Sequence, residues 1–93
     1  MGKKTIPTDG ENQYALLTAE ELASVTRRLA LTPRQAEIVA LLLQAKRDKQ
    51  IAFRLGLSVA TVRMHLSRIF SELGVGDRVE LVVLVMDTAR QAE

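Results

Sequence analysis

The chain has no cysteine, a single histidine and very few aromatic side chains, which make up 3% of its 93 residues. Without cysteine there is no disulfide framework and no thiolate metal site, a composition that suits the reducing cytoplasm. One histidine, His65, makes a metal cluster unexpected as well. With no second histidine and no carboxylate constellation around it, His65 is expected to be a packed or phosphate-contacting group rather than a general base. The expectation is therefore no enzyme, no catalytic residue, no metal and no cofactor. Nor does any apolar run reach the length needed to cross a membrane. The scarcity of aromatics also limits the core. Hydrophobic residues reach 47%, so the interior must be built from Leu, Val, Ile and Ala, the usual material of small helical bundles. Ninety-three residues allow one such domain.

What is present is concentrated between residues 48 and 73, which read as helix, tight turn and helix. Asp48 is placed to cap a helix running to Leu55, Gly56 supplies a turn position where a Cβ would be penalised, and Ser58 caps a second helix. At 100° per residue, Val59, Val62, Leu66, Ile69, Phe70 and Leu73 fall on one arc of the second helix. Ala60, Thr61, Arg63, Met64, Ser67, Arg68 and Ser71 fall on the other. The outward arc holds two arginines and short hydroxyl side chains with no acid. That chemistry suits phosphates and base edges in a DNA major groove. Residues 46–68 carry six cations against Asp48 alone, a net +5, whereas the whole chain is only +2. The positive charge is thus segregated onto the helix-turn-helix.

Residues 1–17 read as a flexible tail, because Pro7, Gly10 and scattered charges show no periodicity. Residues 18–30 read as an accessory helix: Thr18 and Glu21 form a capping box, Leu17 can staple to Leu22, and Leu22, Val25 and Leu29 make a narrow apolar stripe. Thr32, Pro33 and Gln35 open the next helix, expected to run to about Ala45. It is apolar all round, with Ile38, Leu41, Leu42 and Ala45 on one side and Ala36, Val39, Ala40 and Leu43 on the other. The second side is expected to be covered by the Leu22, Val25 and Leu29 stripe, with a partner protein as the alternative cover. Gly74 ends the second helix of the pair, and Asp77 with Glu80 caps a last one over residues 78–90. Its run of valines has strand propensity, but the capping residues and the lack of a strand partner favour a helix. Val79, Val82, Val83 and Met86 form a surplus apolar side that a single small helix cannot hide within a monomer. A symmetric dimer is the expected cover, with the N-terminal helix as the alternative.

Leu31 to Val39 as LTPRQAEIV, Asp48 to Ala52 as DKQIA, Leu55 to Ser58 as LGLS, Thr61 to Leu66 as TVRMHL, and Leu73 to Val75 as LGV resemble, in order and spacing, the LuxR-type (GerE/NarL-like) helix-turn-helix domain. The resemblance covers residues 31–92. It implies an all-α, four-helix bundle, to which this chain adds one N-terminal helix, with recognition helix 59–73 in the major groove and a dimer through helix 78–90. It also implies a sequence-specific, double-stranded DNA-binding transcriptional regulator, response regulator-like, with no membrane partner. Arg63 stands where the family carries a basic residue able to take a phosphate or guanine O6 and N7. With Lys49, Ser58, Thr61, Met64, Ser67 and Arg68 it makes the expected DNA-binding set, Val62 being assigned to the core. Val79, Val82, Val83 and Met86 are the expected dimerisation set. Two other functions fit the same scaffold: a protein-interaction module or antagonist pairing with a larger regulator, and a promoter-binding module like region 4 of a sigma factor. RNA polymerase is a further conceivable partner of the first reading. The chain is expected to be either a free-standing regulator or the C-terminal part of a longer one.

Overall fold

The computed structural model describes residues 16–91. These form five helices: α1 (Ala19–Arg28), α2 (Pro33–Leu43), α3 (Asp48–Leu55), α4 (Val59–Leu73) and α5 (Arg78–Gln91). No strand occurs among the described residues, so the valine-rich segment is helical. Of the tail expected at residues 1–17, only Leu16 and Leu17 are described. Ala92, the last residue of the expected domain, also lies outside the described residues.

Local chemistry sets most helix starts. The Thr18 hydroxyl accepts from Glu21 N–H while Glu21 Oε1 accepts from Thr18 N–H. The same reciprocal pair joins Thr32 and Gln35 at the start of α2. Each satisfies two of the donors that a helix N-terminus otherwise leaves free. Gly56 and Gly74 sit at φ 69° and 71°, and the following N–H groups of Leu57 and Val75 bond back to Ala52 and Phe70. Both glycines therefore close their helices in the left-handed conformation that a Cβ disfavours.

Three expectations need correction. First, α1 and α2 stop short of Ala30 and Ala45. Those alanines take left-handed φ values of 55° and 65°, and the next N–H groups bond back to Thr26 and Leu41, giving the same closure without glycine to announce it. Second, Asp48 is not the cap of α3. Arg47 occupies that position, its N–H donating to Gln50 Oε1 at 2.8 Å, and Asp48 is the first helical residue. Third, α1 takes α5 as its main neighbour, not the second side of α2. Its Val25 is fully buried in the cluster that contains Leu81 and Val85, whereas Ala36 and Ala40 of α2 stay half-buried. Val39 and Leu43 of that second side are nonetheless buried in the same cluster as Val25. Leu22 still faces Ala40 and Leu43, across a cavity of about 420 Å³ that Leu16 and Leu17 also line.

The core runs through all five helices, with Val25, Ile38, Val39, Ile51, Val62, Ile69, Leu81 and Val85 essentially sealed from solvent. The pair α3 and α4 pack on each other and on α2. Gln35, itself buried, donates its Nε2 to Glu72 Oε1 at 2.9 Å and so ties α2 to α4 near its C-terminal end. That frame holds α4 with one face inward and the other in water.

Candidate nucleic-acid interface

The turn between α3 and α4 is short because Gly56 reverses the chain and Ser58 immediately restarts it. Ser58 Oγ accepts from Thr61 N–H at 3.0 Å, and the Ser58 hydroxyl donates to Thr61 Oγ1 at 2.9 Å. Thr61 is thereby left with its own hydroxyl proton to offer outward. Along α4, Val62, Leu66 and Ile69 are buried and Val59, Phe70 and Leu73 pack against them. Ala60, Arg63, Met64, Ser67, Arg68 and Ser71 are exposed. The helical wheel divides these residues as expected except that Thr61, placed on the outward arc, is half-buried, and Val62 belongs to the core.

The expected DNA-binding residues fall into three neighbouring places. Lys49 and Arg63 line one broad groove of about 830 Å³ together with Arg47, Gln50 and Arg78. Met64, Ser67 and Arg68 line an adjoining depression with Ser71 and Glu72. Ser58 and Thr61 lie at the α4 N-terminus, where the free N–H groups and the helix dipole favour an anion. His65 is half-buried on the flank of the same helix. Among the described residues no cluster of side chains could hold a metal ion.

Asp48 sits among the cations of the first groove. Asp48 Oδ2 accepts from Arg63 Nε at 3.1 Å and its Oδ1 accepts from Arg78 Nη2 at 2.6 Å. The Asp48 side chain is 18% exposed, against 70% for Arg63 and 42% for Arg78. The hydrogen bond from Arg78 is the main cause holding its carboxyl below the ordinary 3.8; partial burial works upward and the bond from Arg63 again downward. Because the folded value is the lower one, ionised Asp48 stabilises the fold fully above 3.8, and the contribution is lost as pH falls through the folded value. The wild type is therefore expected to lose more stability than Asp48→Asn on going from neutral pH to below 3.8. At neutral pH the variant should be less stable by about 1 kcal/mol or less, given the solvent around both arginines. Thermal melts across that range check both statements.

Sequence reasoning missed two features. The Asp48 bridge spans 15 residues to Arg63 and 30 to Arg78, so no local pattern announces it. Phe53 is 85% exposed and lines a shallow groove with Lys46, Lys49, Gln50 and Arg54. A wheel of α3 would have found it, since Ile51, Ala52 and Leu55 already define the inward face.

The expected dimerisation residues lie on the outside of α5. Val79 and Val83 are 68% and 61% exposed, and Val82 and Met86 are half-buried. Leu42 of α2 and Ala45 just beyond it continue that surface around a groove of about 390 Å³. Helix α1 is the main neighbour of α5, yet Val79 and Val83 stay exposed.

Residues 29–85 match the family described as bacterial regulatory proteins, luxR family, which leaves α1 outside the matched span. Among similar proteins, the spore germination protein GerE of Bacillus subtilis is 45% identical over 53 residues, 57% of this chain and 72% of that protein. The C4-dicarboxylate transport transcriptional regulatory protein DctR of Rhodobacter capsulatus is 39% identical over 71 residues, covering 76% of this chain and 36% of that protein. The transcriptional regulatory protein LiaR of Bacillus subtilis is 37% identical over 54 residues, covering 58% and 26%. The chain thus spans only about a third or a quarter of the two longer relatives. No solved structure gives a significant match.

Proposed function

The chain belongs to the luxR family of bacterial regulatory proteins, and from that premise we propose how it carries out the DNA-binding regulation of transcription that the family stands for. Helix α4 lies in the major groove of double-stranded DNA, and two chains pair through the Val79, Val82, Val83 and Met86 side of α5. Residues 31–92 are the DNA-binding domain and residues 18–30 an accessory helix. The setting is the cytoplasm. The observation that carries the reading is the exposed face of α4, where Arg63, Met64, Ser67 and Arg68 stand outward on a helix capped by Ser58. Arg63 takes a base edge or a phosphate, Met64 can meet a thymine methyl, and Lys49, Ser58, Thr61 and Arg68 hold phosphates. The enzyme class has nothing in its favour, since the family is one of regulators.

Two substitutions separate the roles. Arg63→Ala is expected to weaken binding to a specific site by roughly 1 to 3 kcal/mol and to relax selectivity at one base pair. Lys49→Ala should weaken all sequences alike and reduce the salt dependence. Gel-shift or anisotropy titrations with specific and mixed-sequence duplexes check this. Equal losses on both kinds of DNA for Arg63→Ala would leave it as a phosphate contact only.

A second reading, pairing with RNA polymerase or a larger regulator, is favoured by Phe53. An 85% exposed phenylalanine gains nothing from a phosphate backbone and suits an apolar protein contact. A module that only antagonises another regulator has no use for the hydroxyl-rich and basic outer face of α4. A sigma-like region 4 has no use for α5 and its uncovered valines.

A further inference from the structure

We infer that Asp48 is a positioning residue for DNA recognition, fixing the plane of the Arg63 guanidinium so that its two terminal amino groups are presented to one base pair. The role rests on the reading of Arg63 as a base contact. Asp48 engages Arg63 through Nε, at 3.1 Å. An arginine held at Nε keeps both Nη groups for a second partner and loses the freedom to rotate its fork about the side-chain axis. The acid is itself held from behind: its other oxygen takes Arg78 Nη2 at 2.6 Å, and its backbone opens α3, whose Ile51 and Ala52 are buried. A chain of contacts therefore runs from the first residue of α5, through the start of α3, to the outward face of α4. Arg63 at its end is 70% exposed, whereas Asp48 is 18% exposed, so the acid lies behind the cation rather than in front of it.

Orientation matters unequally for the two things an arginine can grip. A phosphate accepts a guanidinium from many directions, whereas guanine O6 and N7 accept a fork only when it lies nearly in the plane of the base. A carboxylate at the interface also repels the DNA backbone wherever it goes, and only a correctly placed base pair offsets that repulsion through Arg63. Asp48 thus weakens binding in general and sharpens it at one position. Arg47 and Lys49, which line the same groove, remain to hold phosphate whether or not the acid is present.

The test is a double-mutant cycle on the full chain. The DNA probes are a duplex selected by the wild type from a random library, its single-base variants, and mixed-sequence DNA. Asp48→Ala is expected to lower the ratio of specific to non-specific affinity by roughly threefold to thirtyfold, within the coupling seen between contacting residues. Non-specific affinity should stay equal or rise. Asp48→Asn keeps a single acceptor oxygen where Arg63 and Arg78 each use their own, and should fall between wild type and Asp48→Ala. Its circular dichroism and melting curve establish that the fold persists. In an Arg63→Ala background, Asp48→Ala should change the ratio no further. A general structural defect would lower both affinities together, which contradicts the role. If Arg63→Ala lowers the ratio but neither Asp48 variant does, positioning is overturned while the base contact stands. If both affinities rise with Asp48→Ala and the ratio is kept, the acid sequesters Arg63 instead, and positioning is again overturned. If Arg63→Ala itself leaves the ratio unchanged, the base contact and the positioning role fall together.

Discussion

Replacing Val83 with glutamate is expected to leave a folded chain that no longer pairs and that loses most of its affinity for a site made of two half-sites. Val83 is 61% exposed, so a longer polar side chain there displaces nothing in the core, and glutamate is at least as good a helix former as valine. In a symmetric dimer each substitution appears twice. Two carboxylates would then meet across an apolar seam that offers them no partner, a situation costing several kcal/mol. Sedimentation should show the equilibrium moved to monomer. Binding to one half-site should change little, because Arg63 and Lys49 lie in a different groove. Binding to two half-sites, spaced about 10 base pairs apart as dimeric helix-turn-helix proteins require, should fall by two orders of magnitude or more through loss of effective concentration. Val79→Glu, at 68% exposure, should behave alike. If the wild type is monomeric at high concentration and gains nothing from a second half-site, α5 is not the seam.

Deleting residues 1–30 is expected to be the most damaging change to stability that leaves every proposed DNA contact in place. It removes Val25, which is fully buried, and the half-buried Leu22 and Leu29, and it strips α5 of its main neighbour. Burial of Val25 alone is worth about 1.5 to 3 kcal/mol. For a domain of this size that corresponds to a fall in melting temperature of about 6 to 24 °C. The bared strip should also promote association. Because α1 packs on α5 rather than on α3 or α4, residual folded protein should keep its DNA affinity per half-site. An unchanged melting temperature would mean that α1 adds nothing to the core.

What could be read in the sequence was what neighbours in sequence decide. The α4 boundaries follow from Ser58 and Gly74, and the starts of α1 and α2 from Thr18 with Glu21 and Thr32 with Gln35; each is a bond spanning three residues or a glycine with positive φ. The inward and outward faces of α4 follow from its period, which is why the proposed contact residues emerge on one side. The rest depended on distant partners. Asp48 has the chemistry of a cap, and the arginines at 63 and 78 recruit it for another purpose once the chain is folded. Ala30 and Ala45 close their helices in a conformation usually marked by glycine, so nothing signalled the earlier stops. Helix α1 had a legible apolar stripe, but two apolar surfaces competed for it: α5 became its main neighbour, while Leu22 kept Ala40 and Leu43 across a cavity.

The central claim is that the outward face of α4 grips double-stranded DNA, and titrating the wild-type chain with duplex DNA over a series of salt concentrations tests it most directly. Measurable binding to mixed-sequence DNA at low salt is expected, with tighter binding to a selected two-half-site duplex. The logarithm of the binding constant should fall linearly with the logarithm of salt, by about 0.9 for each phosphate contact. No detectable binding at low salt to either the mixed or the selected duplex would contradict it.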